Sequence, residues 1–301
     1  MAGVKRGWSS FVWICKIVIP VSFLVTLLQW TGWLNHLDFL LNPLMKLINL
    51  PPEAALPIIT GMLVNLYAAI AAMTALPFTL EQMTLIAVFT LICHNLIAEG
   101  IIQHKSGINV VIATLVRFTA ATLTVIIVSQ FLGDTSQSTT TPGALMVHVP
   151  LLEVLKGWAV DTVGLLLKIL GIVMVIMIML QFSESLRWTE RSLKFFRPLM
   201  RILRLPERTA ILWVTSAAFG LMYGGAVIID EAKKGVLTKE ELERLHISIG
   251  INHAMVEDPT LFLVLGLNPL WLWVPKLVMA IIAAQTYRAI RYLKHKLLHH
   301  S

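Results

Sequence analysis

A nine-residue phrase occurs twice in this chain. PLMKLINLP at Pro43–Pro51 returns as PLMRILRLP at Pro198–Pro206, 155 positions later (43 to 198). Beyond it, without gaps, Thr79, Glu81, His94, Gly107, Asn109 and Arg117 match Thr238, Glu240, His253, Gly266, Asn268 and Lys276, now 159 positions apart (79 to 238). The extra residues fall in the charged loop near 229–237, and Glu99 then stands opposite Asp258. An internal repeat fixes the architecture before any single element is considered.

The repeated unit is too apolar to be soluble. Of 301 residues, 57% are hydrophobic and 14% charged, where soluble domains are nearer a quarter charged. Mean hydropathy is +0.78. Several stretches approach the ~20 apolar residues that a transmembrane helix needs. These values predict an all-α polytopic membrane protein in contact with the lipid bilayer. The first apolar run, 11–34, is too long for a cleavable signal and lacks a small-residue cleavage site. Cys15 and Cys93 lie in apolar segments and imply no disulfide framework. The net charge of +7 reads as a topology signal, not as a nucleic-acid footprint. With no Walker loop, no GxGxxG unit and no HExxH helix, the chain is expected not to be an enzyme.

Six segments read as full spans: 9–33, 54–76, 106–132, 157–182, 208–229 and 268–290. Two more, 82–103 and 241–262, are apolar but interrupted. The first carries His94, Asn95 and Glu99, and the second His246, Asn252, His253, Glu257 and Asp258. Each charge at bilayer depth costs several kcal/mol, so these segments are expected to be re-entrant or broken and to line a cavity. Two amphipathic stretches, His36–Leu50 and Leu186–Leu205, read as interfacial helices.

Lys and Arg placement gives an orientation. Lys5 and Arg6, the basic run from Arg187 to Arg208, and the tail with Arg288, Arg291, Lys294 and Lys296 are expected inside. The 133–150 loop has no Lys or Arg and is expected outside. Three crossings per half satisfy all four assignments. The expectation is a cytoplasmic-membrane protein with both termini cytoplasmic, and two inverted repeats. These are 1–132 and 151–301, joined by 133–150. Each holds three spans, one interfacial helix and one re-entrant or broken helix. The interrupted segment of the first half would enter from the inside, that of the second from the outside.

The residues expected to carry chemistry are His94, Asn95, Glu99, Asn252, His253, Glu257 and Asp258. Imidazole with carboxylate suits a divalent metal, for which His94, Glu99, His253, Glu257 and Asp258 are the candidate ligands. The same groups suit coupling to H⁺ or Na⁺, or hydrogen bonds to a polar solute. The structural alternative is that they cap broken helix ends and pair with Arg117 and Lys276, which sit in apolar spans and would balance charge. Asn65, Tyr67 and Tyr223 are candidate cavity-lining residues, and Asn109 and Asn268 read as helix N-caps.

ITGMLVNLYAAIAAM followed by LICHNLIAEGII, with second copies TSAAFGLMYGGAVI and IGINHAMVEDPTL, resembles the nucleoside-recognition Gate family. That family includes spore maturation proteins A and B and is similar to the Gate segments of ferrous-iron transporter B and to parts of concentrative nucleoside transporters. The resemblance spans about 40–130 and 195–290. It implies secondary transport of a small polar solute or ion, without a GTPase domain, and a homodimer or a paired Gate-domain protein as partner. A divalent-metal transporter, a lipid flippase and a non-transporting membrane partner are the competing assignments.

Overall fold

The computed structural model describes residues 2–33, 38–136, 149–185, 196–235 and 237–298. The helices in chain order are α1 (Ala2–Trp30), α2 (Asp38–Leu47), α3 (Ala55–Leu63), α4 (Leu66–Thr74), α5 (Leu80–Ile92), α6 (Leu96–Lys105), α7 (Val110–Leu132) and α8 (Leu151–Ser185). Then follow α9 (196–202), α10 (Ala210–Phe219), α11 (Leu221–Lys233), α12 (Lys239–Asn252), α13 (Glu257–Phe262) and α14 (Pro269–Leu298). No strand occurs among the described residues, so the protein is an all-α polytopic membrane protein.

Among the described residues, five helical segments are long and apolar enough to cross a membrane: Gly3–Trp30, Leu80–Lys105, Val110–Leu132, Leu151–Met179 and Pro269–Leu293. Their outward faces are apolar, as at Phe131, Val160, Leu167 and Val274, so these helices contact lipid.

α1 and α8 run antiparallel along their whole length. Gly3 abuts Met177 and Ile178, Trp158 Nε1 donates to Ser22 Oγ at 3.0 Å, and Trp30 Nε1 donates to the Val149 carbonyl at 3.1 Å. The far end is therefore marked by Trp30 and Val149. Asn49 Nδ2, which donates to the Gly133 carbonyl at 2.9 Å, belongs to that end too. The opposite end is basic. There Arg244 donates to the Arg204 carbonyl, Gln285 donates to the Ile202 carbonyl, and Arg291 pairs with Glu240.

Two of the expected spans are not spans. Residues 54–76 and 208–229 each fold back on themselves as helix pairs. α3 and α4 turn at Asn65, which caps α4 by accepting from the Ala68 amide at 3.0 Å. A Cβ on Gly61 would meet the Ala69 Cβ at 3.1 Å, so the two arms touch. α10 and α11 turn at Gly220 (φ +81°), a backbone conformation that L side chains rarely adopt. Gly224 lies so near Ser216 that a Cβ there would stand 2.0 Å from its Oγ. These close approaches account for the small residues of both hairpins.

The interrupted segments are broken helices, one of the two forms expected. The first continues through its break into α6, so Leu80–Lys105 is a span, where the crossing count took it as re-entrant. The ends of entry are also the reverse of those expected. α5 starts at the far end, where Gln82 Nε2 donates to the Thr135 carbonyl at 3.1 Å. α12 starts at the basic end, where Glu241 pairs with Arg208. The reason is that each hairpin returns to the end it left and uses no crossing.

Both broken helices start from a capping box. Thr79 Oγ1 accepts from the Gln82 amide and Gln82 Oε1 from the Thr79 amide, at 3.2 and 2.9 Å. Thr238 and Glu241 repeat this at 3.3 and 2.8 Å. A Thr followed three residues later by Gln or Glu is the sequence signature of such a start. The N-caps expected at Asn109 and Asn268 are present, accepting from the Ile112 and Leu270 amides. Of the interfacial stretches, α2 and α9 are described, while 34–37 and 186–195 lie outside the described residues, as does 137–148 of the connecting loop.

Candidate functional site

The site is built where α5 and α12 stop. After α5 the chain passes through Cys93 and His94 to Asn95, which takes left-handed backbone (φ 51°). After α12 it passes through His253 to Ala254, also left-handed (φ 47°). The amides freed by each break are taken up by a hairpin tip. Asn95 N donates to the Gly61 carbonyl at 2.9 Å, and Ala254 N to the Ser216 carbonyl at 3.1 Å. The freed carbonyls are taken up by the two buried cations. Arg117 donates through Nη2 to the His94 carbonyl at 2.8 Å and through Nε to the Ile92 carbonyl at 3.0 Å. Lys276 Nζ donates to the His253 carbonyl at 2.7 Å. Non-helical backbone at membrane depth is tolerated where its polar groups are satisfied in this way.

The two tips touch. His94 Nε2 and His253 Nε2 are 3.3 Å apart. Each ring is oriented by the same bond, from Nδ1 to the carbonyl four residues back: Thr90 at 2.8 Å and Ile249 at 2.9 Å. A carbonyl oxygen only accepts, so Nδ1 carries the hydrogen in both rings. Nε2 of a neutral ring is then a lone pair. Glu99 Oε1 stands 3.1 Å from His253 Nε2 and 3.6 Å from His94 Nε2. Its other oxygen pairs with Arg117 Nη1 at 2.7 Å. Asp258 Oδ2 stands 3.3 Å from His94 Nε2, without hydrogen-bond geometry to any donor.

The sequence-derived set is thus gathered unevenly. His94, Glu99, His253 and Asp258 form one buried cluster with Arg117 and Lys276 around it. Glu257 lines the same cavity but bonds outside the cluster, its Oε1 accepting from the hydroxyl of Tyr67, which also lines it, at 2.8 Å. Asn95 and Asn65 line the cavity. Asn252 is fully buried with both side-chain polar atoms unpartnered. The Tyr223 side chain lies outside the described residues.

A cavity of about 440 Å³ opens onto the cluster and is lined by His94, Glu99, His253 and Asp258. Arg6, Ser9, Ser10 and Trp13 of α1 form another of its walls. As site residues these had no signal in the sequence; Arg6 was read only for orientation, and Ser9 and Ser10 are a Ser-Ser pair beside an apolar run. A second cavity of about 320 Å³ lies toward the far end, lined by Thr74, Glu153, Trp158 and Asp161 among others.

The nucleoside-recognition Gate family matches residues 11–139. The membrane protein of Bacillus subtilis (strain 168) recorded as "Uncharacterized membrane protein YvoD" is 31% identical over 275 residues, covering 90% of this chain and 88% of that protein. The chain belongs to the Gate family. No solved structure matches it. In this Gate-family chain the family match ends at residue 139, while the site takes half of its residues from beyond it.

Proposed function

We propose that this protein is a secondary transporter that carries a small polar solute or ion through the His94–His253 site. In this reading residues 1–132 and 151–301 are inverted copies of one unit, and rocking of one against the other exposes the site to each side in turn. The basic end faces the cytoplasm. The observation that carries the reading is the meeting of two broken helices that start at opposite ends of the bundle. Buried ionisable groups at such a meeting point are functional candidates by default. The cavity beside them falls within the size range of small-ligand sites. Its opening beside Arg6, Ser9 and Ser10 supports an inward-facing state. The second cavity marks the path that the other state would open. No catalytic role is proposed.

The test is site-directed labelling in sealed vesicles. With Cys15 and Cys93 replaced by Ala, a cysteine at Asn95 is exposed to a membrane-impermeant maleimide from either face. Alternating access predicts labelling from both faces, at rates that change in opposite directions when a solute gradient is imposed. Labelling from one face alone under every gradient sinks the proposal.

A further inference from the structure

Four polar side-chain atoms converge at the tips. They are His94 Nε2, His253 Nε2, Asp258 Oδ2 and Glu99 Oε1. Each Nδ1–H is committed to a carbonyl, so whenever a ring is neutral its Nε2 is a lone pair. A single added proton satisfies one pair of these acceptors and leaves the rest facing one another. A divalent cation satisfies all four. His94, His253 and Asp258 each offer a ligand atom within 4.8 Å of the others. The two Nε2 atoms are 3.3 Å apart and Asp258 Oδ2 lies 3.3 Å from His94 Nε2, close to the ~3.3 Å ligand–ligand separation around a metal with bonds of ~2.0–2.1 Å. Asp258 is buried and its Oδ2 has no hydrogen-bond partner; a buried polar atom of this kind needs a partner, and a cation supplies one.

We infer that the substrate is a first-row divalent transition metal, held by His94, His253 and Asp258, with Glu99 turning in from beside the two imidazoles as fourth ligand. The inference rests on the transport reading above and names the chemical class of its cargo. Two imidazoles disfavour Mg²⁺ and Ca²⁺, which take all-oxygen shells, and favour Mn²⁺, Fe²⁺, Co²⁺ or Zn²⁺. The surroundings are those of a metal site. The Nδ1–H bonds to Thr90 and Ile249 orient the rings, and Arg117 orients Glu99. These are the outer-shell contacts that fix ligands in place. All four ligands also line the open cavity, so an ion has a way in.

The experiment uses the full-length protein, purified without a histidine tag and with His299 and His300 changed to Ala, titrated with Co²⁺ in nanodiscs. The expected result is one Co²⁺ per chain, with intense visible absorption bands of a four-coordinate N₂O₂ site, displaced by Zn²⁺. His94→Ala and His253→Ala should each weaken binding by about 100-fold or more, the upper end of what even outer-shell changes cost. Should either fail to fold, Asp258→Asn, which keeps the side-chain volume, should weaken it at least ~10-fold. No Co²⁺ on monodisperse wild-type protein, or binding untouched by these changes, overturns the inference. The maleimide experiment separates the two claims. Alternating access without metal leaves transport of another solute. Metal binding without alternating access removes the transport reading and leaves a metal site.

Discussion

Arg117 and Lys276 perform one task in two copies: each reaches a histidine carbonyl at a helix break, Arg117 that of His94 at 2.8 Å and Lys276 that of His253 at 2.7 Å. The breaks are therefore held open by cations that the apolar spans carry at matching positions. Lys276→Met should leave the His253 carbonyl unsatisfied and cost about 1–3 kcal/mol. Thermal unfolding in detergent measures it. A melting temperature equal to wild type means that the ammonium does not support the break.

The Arg117–Glu99 pair invites a double-mutant cycle. Both side chains are buried, and Nη1 lies 2.7 Å from Oε2. Removing one partner leaves the other charge buried and alone, which costs about 3–5 kcal/mol. Arg117→Met and Glu99→Gln should each be strongly destabilising, and the double variant should lose less than the two summed. Strict additivity would show that the two do not interact. Glu99→Gln also removes a proposed ligand, so the Co²⁺ spectrum of any folded variant reports the second role separately.

Ala254 has left-handed backbone (φ 47°). For residues other than glycine this conformation costs roughly 1–2 kcal/mol. Ala254→Gly should raise stability by about 1 kcal/mol, and Ala254→Val should lower it, since a branched Cβ fits this region worst. Paired melting curves of the two variants decide the matter. A destabilised glycine variant would mean that the break is not under backbone strain.

How far these features were legible in the sequence depends on their range. The repeat, the two breaks and the His-carboxylate tips were legible because each is written in local residue types. That Arg117 and Lys276 balance charge was legible because an apolar span cannot carry a bare charge, although the specific partner Glu99 was not. The hairpins were not. Residues 54–76 are apolar throughout, and length alone makes them a span. What folds them back is the Asn65 cap and the use of the Gly61 carbonyl by Asn95, a contact with a different helix. Reading the hairpins as spans then reversed the ends from which α5 and α12 enter. Tyr67 and Glu257 are 190 residues apart, and no pattern in either segment announces their bond.

The packing of the halves has a further consequence. α5 lies against α14, and α12 against α7, so each tip is walled by the closing helix of the other half. Without α12 and α14, His94 would have no mate and the break after α5 would lose one wall. Joining two such units in one polypeptide replaces a search between molecules with a tethered encounter at a fixed effective concentration. It also frees the copies to diverge. Arginine on one side and lysine on the other, glutamate opposite aspartate, and a broad hairpin turn at Asn65 opposite a glycine turn at Gly220 are differences that a symmetric pair of identical chains cannot hold.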